Sequence, residues 1–262
     1  MSRPAAFLVV IPARFASSRL QGKPLADIGG KPMVVRVAER ARESGARAVW
    51  VATDNQGVYD AVKLHGHQAM MTRTDHATGT DRIAEVAAQR GWSPDDLVVN
   101  LQGDEPLMPP ALVRQVAALL ARHATADIAT LAGPLAGLEA FLDPNVVKVV
   151  TAQSGRALYF SRAPIPWNRD AAPQGLASQR AWDGARRHIG LYAYRVAALR
   201  RLAGLAPTRL ERLEKLEQLR ALEHGMDIRV EDASQLPGPD VNTAADLERV
   251  AALLVASPGA AP

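Results

Sequence analysis

The first 125 residues alternate short apolar runs with amphipathic stretches, and this rhythm restricts the fold more than any other feature. Phe7–Ile11 is continuously apolar, the pattern of a strand covered on both faces. Pro32 opens a helix to about Glu43, with Gly45 just past its end, the usual placement of the two residues. Ala48–Ala52 is a second strand, Asp54 is placed to cap a helix to about Leu64, and Gln68–Met71 is a short third strand. A helix from about Asp81 to Arg90 stops at Gly91, Leu97–Leu101 is a fourth strand, and Pro109 and Pro110 introduce a helix to about His123. Such alternation with short connections predicts an α/β fold, a doubly wound, mostly parallel sheet with right-handed crossovers. Ligands of these sheets bind beyond the carboxyl ends of the strands. The loops after Ile11, Met71 and Leu101 therefore carry the candidate site.

From Asp127 the rhythm changes. Strands are expected at Asp127–Leu131, Val146–Thr151, Ala157–Phe160 and His188–Ala193, with a polar excursion over the site from Pro164 to Arg187. Thr208-Arg-Leu-Glu211 is a capping box that opens a helix to about His224. Asp227–Val230 is a last strand, and Thr243 caps a terminal helix to about Val255. Residues 1–256 are expected to form one domain, in two halves over about 5–125 and 126–256, the second supplying a smaller insertion. Residues 257–262 are expected to fray.

Composition removes several classes of function. The chain has no cysteine, which excludes disulfides, thiolate metal sites and a thiol nucleophile. No Gly-x-Ser-x-Gly motif argues for a hydrolase. The apolar stretch Ala5–Ile11 is too short for a signal core or a membrane span, so a soluble, cytoplasmic protein with no membrane partner is expected. The formal charge is +4 and the pI about 9.7. The basic residues are scattered and aromatics make up 5%, so no nucleic-acid partner is expected. A small polyanionic substrate suits a modest positive balance.

The loop after the first strand reads Pro12-Ala-Arg14-Phe-Ala-Ser17-Ser18-Arg19-Leu-Gln-Gly22-Lys23. It matches neither a Gly-x-Gly-x-x-Gly fingerprint nor a Walker phosphate loop. At a strand end, its cations suit a triphosphate cradle better than a plain basic surface. Asp104, in Asn100-Leu-Gln102-Gly103-Asp104-Glu105, faces that loop from the fourth strand. It is either a Mg²⁺ ligand, since Mg²⁺ takes one or two carboxylates plus substrate phosphates, or a turn aspartate. The segment Thr72-Arg73-Thr-Asp75-His76-Ala-Thr78-Gly79-Thr80-Asp81 offers helix-start hydroxyls and amides suited to an anion or a base. Asp75-His76 is a candidate acid–base pair. Taken alone, Glu211, Glu214, Glu217 and Gln218 are either a solvated face or one wall of a site, since they fall within about 120° of helical arc.

Together these segments resemble the 3-deoxy-manno-octulosonate (Kdo) cytidylyltransferases, or CMP-Kdo synthetases, from Val9 to about Val250. The resemblance rests on Ile-Pro-Ala-Arg14-x4-Arg19-Leu-x-Gly22-Lys23, Met-Thr-Arg73-x-Asp75-His76, Leu-Gln102-Gly-Asp104, Tyr-Phe-Ser-Arg162, Arg-His188-Ile-Gly-Leu-Tyr192 and Leu-Glu217-Gln218-Leu-Arg220. It implies a Rossmann-like nucleotidyltransferase fold with a nucleotide-binding half and a sugar-binding and dimerisation half. It also implies Mg²⁺-dependent transfer of CMP from CTP to Kdo, with release of pyrophosphate, for lipopolysaccharide synthesis by a cytoplasmic homodimer. Arg14, Arg19 and Lys23 would hold the triphosphate, and Arg73, Thr80 and Gln102 would face the nucleotide. Gln102, Arg162, His188, Tyr192, Glu217 and Gln218 match sugar-binding positions. Asp104 would bind Mg²⁺. The family's second metal aspartate, in Val-Asp-Thr, is replaced here by Asn242 in Val241-Asn242-Thr243, a weaker ligand, with Asp240 two residues away. Sialic-acid cytidylyltransfer and non-catalytic nucleotide binding are the alternatives.

Overall fold

The computed structural model describes residues 6–16 and 20–256. Its first half follows the alternation: β1 (Leu8–Pro12), α1 (Met33–Glu43), β2 (Ala48–Thr53), α2 (Gln56–Leu64), β3 (Gln68–Met71), α3 (Gly79–Gln89), β4 (Leu97–Asn100) and α4 (Pro110–Arg122). The second half holds β5 (Ile128–Pro134), α5 (Leu138–Leu142), β6 (Lys148–Thr151), β7 (Ala157–Ser161), β8 (Arg186–Arg195) and α6 (Val196–Ala203). It ends with α7 (Arg209–Glu214), α8 (Gln218–Glu223), β9 (Ile228–Asp232) and α9 (Ala244–Ala256).

One sheet runs in the order β3-β2-β1-β4-β8-β5-β9. Its first four strands are parallel, β8 runs antiparallel to both β4 and β5, and β5 and β9 are parallel again. The β6–β7 hairpin hangs from β8. The sheet is mostly parallel and mixed, as the alternation predicts.

Alternate residues of β1 enter opposite layers. Val9 and Ile11 pack with the buried faces of α1, α2 and α4, whereas Leu8 and Val10 pack with those of α3, α6 and α8. A strand between two helical layers needs apolar side chains on both faces, which is why Phe7–Ile11 reads as an unbroken run.

Four local expectations are corrected. Asn55, not Asp54, caps α2 by accepting the Val58 N–H at 3.1 Å; Asp54 is drawn into a buried ion pair instead. The third helix begins at Gly79, two residues early, because Thr78 and Asp81 form a capping box. The helix expected from Thr208 to His224 is two helices, broken at Lys215, whose φ of 54° is left-handed. Finally, β8 is longer than His188–Ala193. The polar stretch 164–185 contains only a 3-10 turn at Leu176–Ser178 and lines neither cavity described below. The expected frayed tail, 257–262, lies outside the described residues.

Candidate active site

The carboxyl ends of β1, β3 and β4 open into a cleft of about 420 Å³, lined by Arg14, Lys23, His76, Thr78, Arg82, Gln102 and Asp104 among others. Gly22, with φ 67°, turns the chain into the 3-10 turn that carries Lys23. The Lys23 ammonium then meets the Asp104 carboxylate at 2.7 Å, both partly enclosed. Gly103 lets the loops after β1 and β4 approach, since a Cβ there would sit 2.9 Å from the Pro12 carbonyl oxygen. Arg14 is exposed and forms no ion pair with a described residue. Ser17, Ser18 and Arg19 lie outside the described residues.

A smaller pocket of about 90 Å³ adjoins the cleft, lined by Thr80, Asn100, Tyr192, Tyr194 and Gln218. Gly79, Gln102 and Glu217 line both cavities. The break at Lys215 explains this arrangement. It turns Glu217 and Gln218 toward the pocket, while Glu211 pairs with Arg220 at 2.5 Å. Glu214 accepts from the Ser161 hydroxyl at 2.7 Å and the Arg162 N–H at 2.9 Å. The acidic residues thus do not share one wall, contrary to the continuous-helix reading. Thr80 donates to Glu217 Oε2 at 2.5 Å, leaving Oε1 enclosed without a hydrogen bond. Burial raises the Glu217 pKa against the pull of the threonine hydroxyls and Arg220.

A bulge in β8 places the two ring-bearing residues. Thr130 pairs with Tyr192 but Leu131 with Ile189, so Gly190 and Leu191 are extra. Bulges of this kind re-aim side chains. The rings of His188 and Tyr192 come within 5.2 Å, although residues four apart in a regular strand are separated by roughly 13 Å. The Thr130 hydroxyl lies 2.8 Å from the Leu191 carbonyl and 2.9 Å from His188 Nε2. With its hydrogen on the carbonyl, it accepts from His188 Nε2–H. Burial, helped by Arg187, pushes the imidazole pKa down to about 3, so His188 is uncharged at neutral pH. Burial also raises the Tyr192 phenol, aided by Tyr194 and Glu217.

Two expected residues lie elsewhere. Arg73 pairs with Asp75 at 2.5 Å and is mostly exposed, which also removes Asp75 as the partner of His76. Arg162 donates to the carbonyls of Glu214, at 2.6 Å, and Pro144, at 2.8 Å, and lines neither cavity. Conversely, Arg82 and Tyr194 line the cavities without having been singled out. Tyr194 was visible as the i+2 neighbour of Tyr192 on one strand face.

The donor set around Asp104 bears on Mg²⁺. The Val241 N–H donates to the Asp104 carbonyl at 2.9 Å, which docks segment 240–242 beside it. The Asn242 amide donates to Asp240 Oδ2 at 2.5 Å. Glu105 Oε2 is enclosed without a hydrogen bond. Burial, with Asp104 and Asp240 nearby, pushes its carboxyl up to about 8. Among the described residues no three His, Asp or Glu side chains form a metal cage. Few carboxylates and surplus negative potential fit a hard cation that arrives with phosphate ligands.

This geometry joins a cleft lined by Arg14 and Lys23 to a smaller polar pocket. Residues 8–228 match the family model described as cytidylyltransferase. The chain belongs to the cytidylyltransferase family. Over 97% of its length this cytidylyltransferase superposes on a CMP:2-keto-3-deoxy-manno-octonic acid synthetase solved in complex with CTP. The match covers 100% of that chain, at 41% identity and a TM-score of 0.85. A cytidylyltransferase from Leptospira borgpetersenii serovar Hardjo-bovis matches at 16% identity and a TM-score of 0.61, over 96% of this chain and 88% of that one, and shows the fold alone. The cytidylyltransferase is a nucleotidyltransferase that acts in CMP transfer. Among the described residues no helix is long and apolar enough to cross a membrane.

Proposed function

We propose that the enzyme transfers CMP from CTP to Kdo, forming CMP-Kdo and pyrophosphate with Mg²⁺. The observation that carries this reading is the pair of adjoining cavities, one basic and one polar, that share Gln102 and Glu217. Similarity at 41% identity to a synthetase whose name contains that sugar acid supports the choice of acceptor.

In this reading Arg14, Arg19 and Lys23 neutralise the triphosphate. Thr80 and Gln102 face the nucleotide, and Gln102, His188, Tyr192, Glu217 and Gln218 orient the sugar acid. Asp104 and the Asn242 side-chain carbonyl would hold Mg²⁺, which would supply charge neutralisation and a lowered pKa for the attacking hydroxyl. The sugar's anomeric hydroxyl gives up its proton to solvent as its oxygen attacks the α-phosphate in line, and the P–O bond to pyrophosphate breaks. Positioning and charge carry most of such catalysis, so no covalent enzyme intermediate is required. Supply of activated sugar for lipopolysaccharide, a cytoplasmic location and a homodimer complete the proposal.

A pyrophosphate-release screen tests it: four nucleoside triphosphates crossed with Kdo and sialic acid, with and without Mg²⁺. CTP with Kdo should be the productive pair. Silence from that pair while another is active would overturn the substrate assignment.

A further inference from the structure

His76, on the loop between β3 and α3, lines the large cleft. In the sheet order β3-β2-β1-β4 this loop enters from the β3 side, whereas Lys23 and Asp104 follow β1 and β4. The imidazole is fixed in place by α3. Its Nε2 contacts Glu85 Oε2, and Glu85 also accepts the Arg73 N–H at 3.0 Å and the Gln89 amide at 2.8 Å. Burial alone would raise the Glu85 pKa, but the bonds from His76, Arg73 and Gln89 outweigh it and leave the pKa below the ordinary value.

An ionised carboxylate only accepts, so the ring hydrogen lies on Nε2. In the uncharged ring Nδ1 is then an acceptor. It has no partner among the described residues, and the side chain is 14% exposed, on the cleft. Among the other charged groups of the cleft, Arg14 and Lys23 are donors suited to phosphate oxygens, whereas Arg82 is taken up by Asp54 and Thr72. His76 thus stands on the β3 side of the cleft, across from the Asp104 turn that follows β4, which leaves the end away from Asp104 for the base.

We propose that His76 Nδ1, oriented by Glu85, accepts a hydrogen bond from the amino group of the pyrimidine base and so favours CTP over UTP. UTP presents a carbonyl oxygen there, and two facing acceptors leave both unpaired. The inference rests on the reading of the cleft as a CTP site.

The test measures pyrophosphate release with CTP and with UTP, using Kdo as acceptor, in the wild type, His76→Gln, His76→Ala and Glu85→Gln. Glutamine can still donate to Glu85, preserving the loop, but offers nothing at the Nδ1 position. His76→Gln should raise KM for CTP about tenfold, the equivalent of one lost hydrogen bond, and change KM for UTP little. Its kcat and thermal midpoint should stay near wild type. Glu85→Gln should raise KM for CTP less, at unchanged kcat, and His76→Ala at least as much as His76→Gln. If the wild type uses no CTP, the proposed function fails. If the wild type uses CTP without preference over UTP, or His76→Gln keeps the wild-type preference, this inference alone fails. An equal rise in KM for both nucleotides would place the contact on phosphate or ribose and overturn the base contact.

Discussion

Replacing Asp54 by alanine removes the carboxylate that pairs with the Arg82 guanidinium, which is nearly sealed from water. Arg82 is 3% exposed and Asp54 13%, and they meet at 2.8 Å. Arg82 also donates to the Thr72 hydroxyl and, at 3.3 Å, to the Arg73 carbonyl, while Asp54 Oδ1 accepts the Phe15 N–H at 3.2 Å. Breaking a buried pair by deleting one partner costs about 3–5 kcal/mol, because the remaining charge stays buried. Two neutral acceptors still face Arg82, which moves the estimate to the lower end. The lost bond to Phe15 adds about 1 kcal/mol, so Asp54→Ala should destabilise by about 4 kcal/mol. Arg82→Met should cost about 2 kcal/mol, since Asp54 is the more exposed partner and keeps the Phe15 bond. The double variant should be more stable than the sum of the single losses implies, by at least about 1 kcal/mol. Urea unfolding followed by tryptophan fluorescence and by far-UV circular dichroism measures all three, with coincident transitions required. A loss below about 1 kcal/mol in Asp54→Ala, or strict additivity, would refute the uncompensated-charge argument.

Asp104→Asn should abolish most pyrophosphate release at limiting Mg²⁺ while leaving the circular dichroism spectrum unchanged; near-normal turnover would remove Asp104 from the metal site. His188 binds its proton in the unfolded chain near pH 6.5 but in the folded one only near pH 3. Stability is therefore intact above pH 6.5 and lost as pH falls toward 3, at about 1 kcal/mol per unit, a slope that His188→Gln should flatten in urea titrations at successive pH values. Lys215→Gly should stabilise by about 0.5 kcal/mol, because glycine enters the left-handed region without the side-chain penalty; a lowered urea midpoint would count against that. Arg162→Ala should cost about 1–3 kcal/mol through two lost carbonyl bonds, and an unchanged unfolding midpoint would show those bonds to be dispensable.

The sheet was legible because a strand buried on both faces must be apolar throughout. Val9 and Ile11 serve one layer and Leu8 and Val10 the other, and no surface helix imitates so short and dense a run. Loop chemistry was legible where glycine or clustered charge marked it, as at Gly22, Lys23, Gly103 and Asp104. What escaped depended on partners distant in sequence. Asp54 has the chemistry of a helix cap, yet Arg82 claims it and Asn55 takes over the cap. The break at Lys215 has no local signature, because Arg-Leu-Glu-Lys-Leu-Glu is good helix-forming sequence. Its cause is packing: Leu216 and Leu219 are buried while Leu213 is 68% exposed. One unbroken helix would carry Leu213 and Leu216 on the same face. Re-phasing the chain at Lys215 satisfies the core and brings Glu217 to Thr80.

The bond from the Val241 N–H to the Asp104 carbonyl also sets a timetable. Val241 and Val250 pack with Ile28, Met33, Leu20 and Leu107, so the rim of the cleft is braced by residues made after everything else that the two cavities use. During synthesis the four parallel strands and the basic loop leave the ribosome first and can pair with one another. Glu217 and then segment 240–250 follow, and only then is the Asp104 turn buttressed. Until that segment is made, both the turn carrying Lys23, which lies between Leu20 and Ile28, and the Asp104 turn lack the apolar seat that Val241 and Val250 complete. The same order runs in reverse when the native protein opens locally: α9 can lift from its small apolar seat without disturbing the strands, loosening the Asp104 side of the cleft while the sheet remains intact.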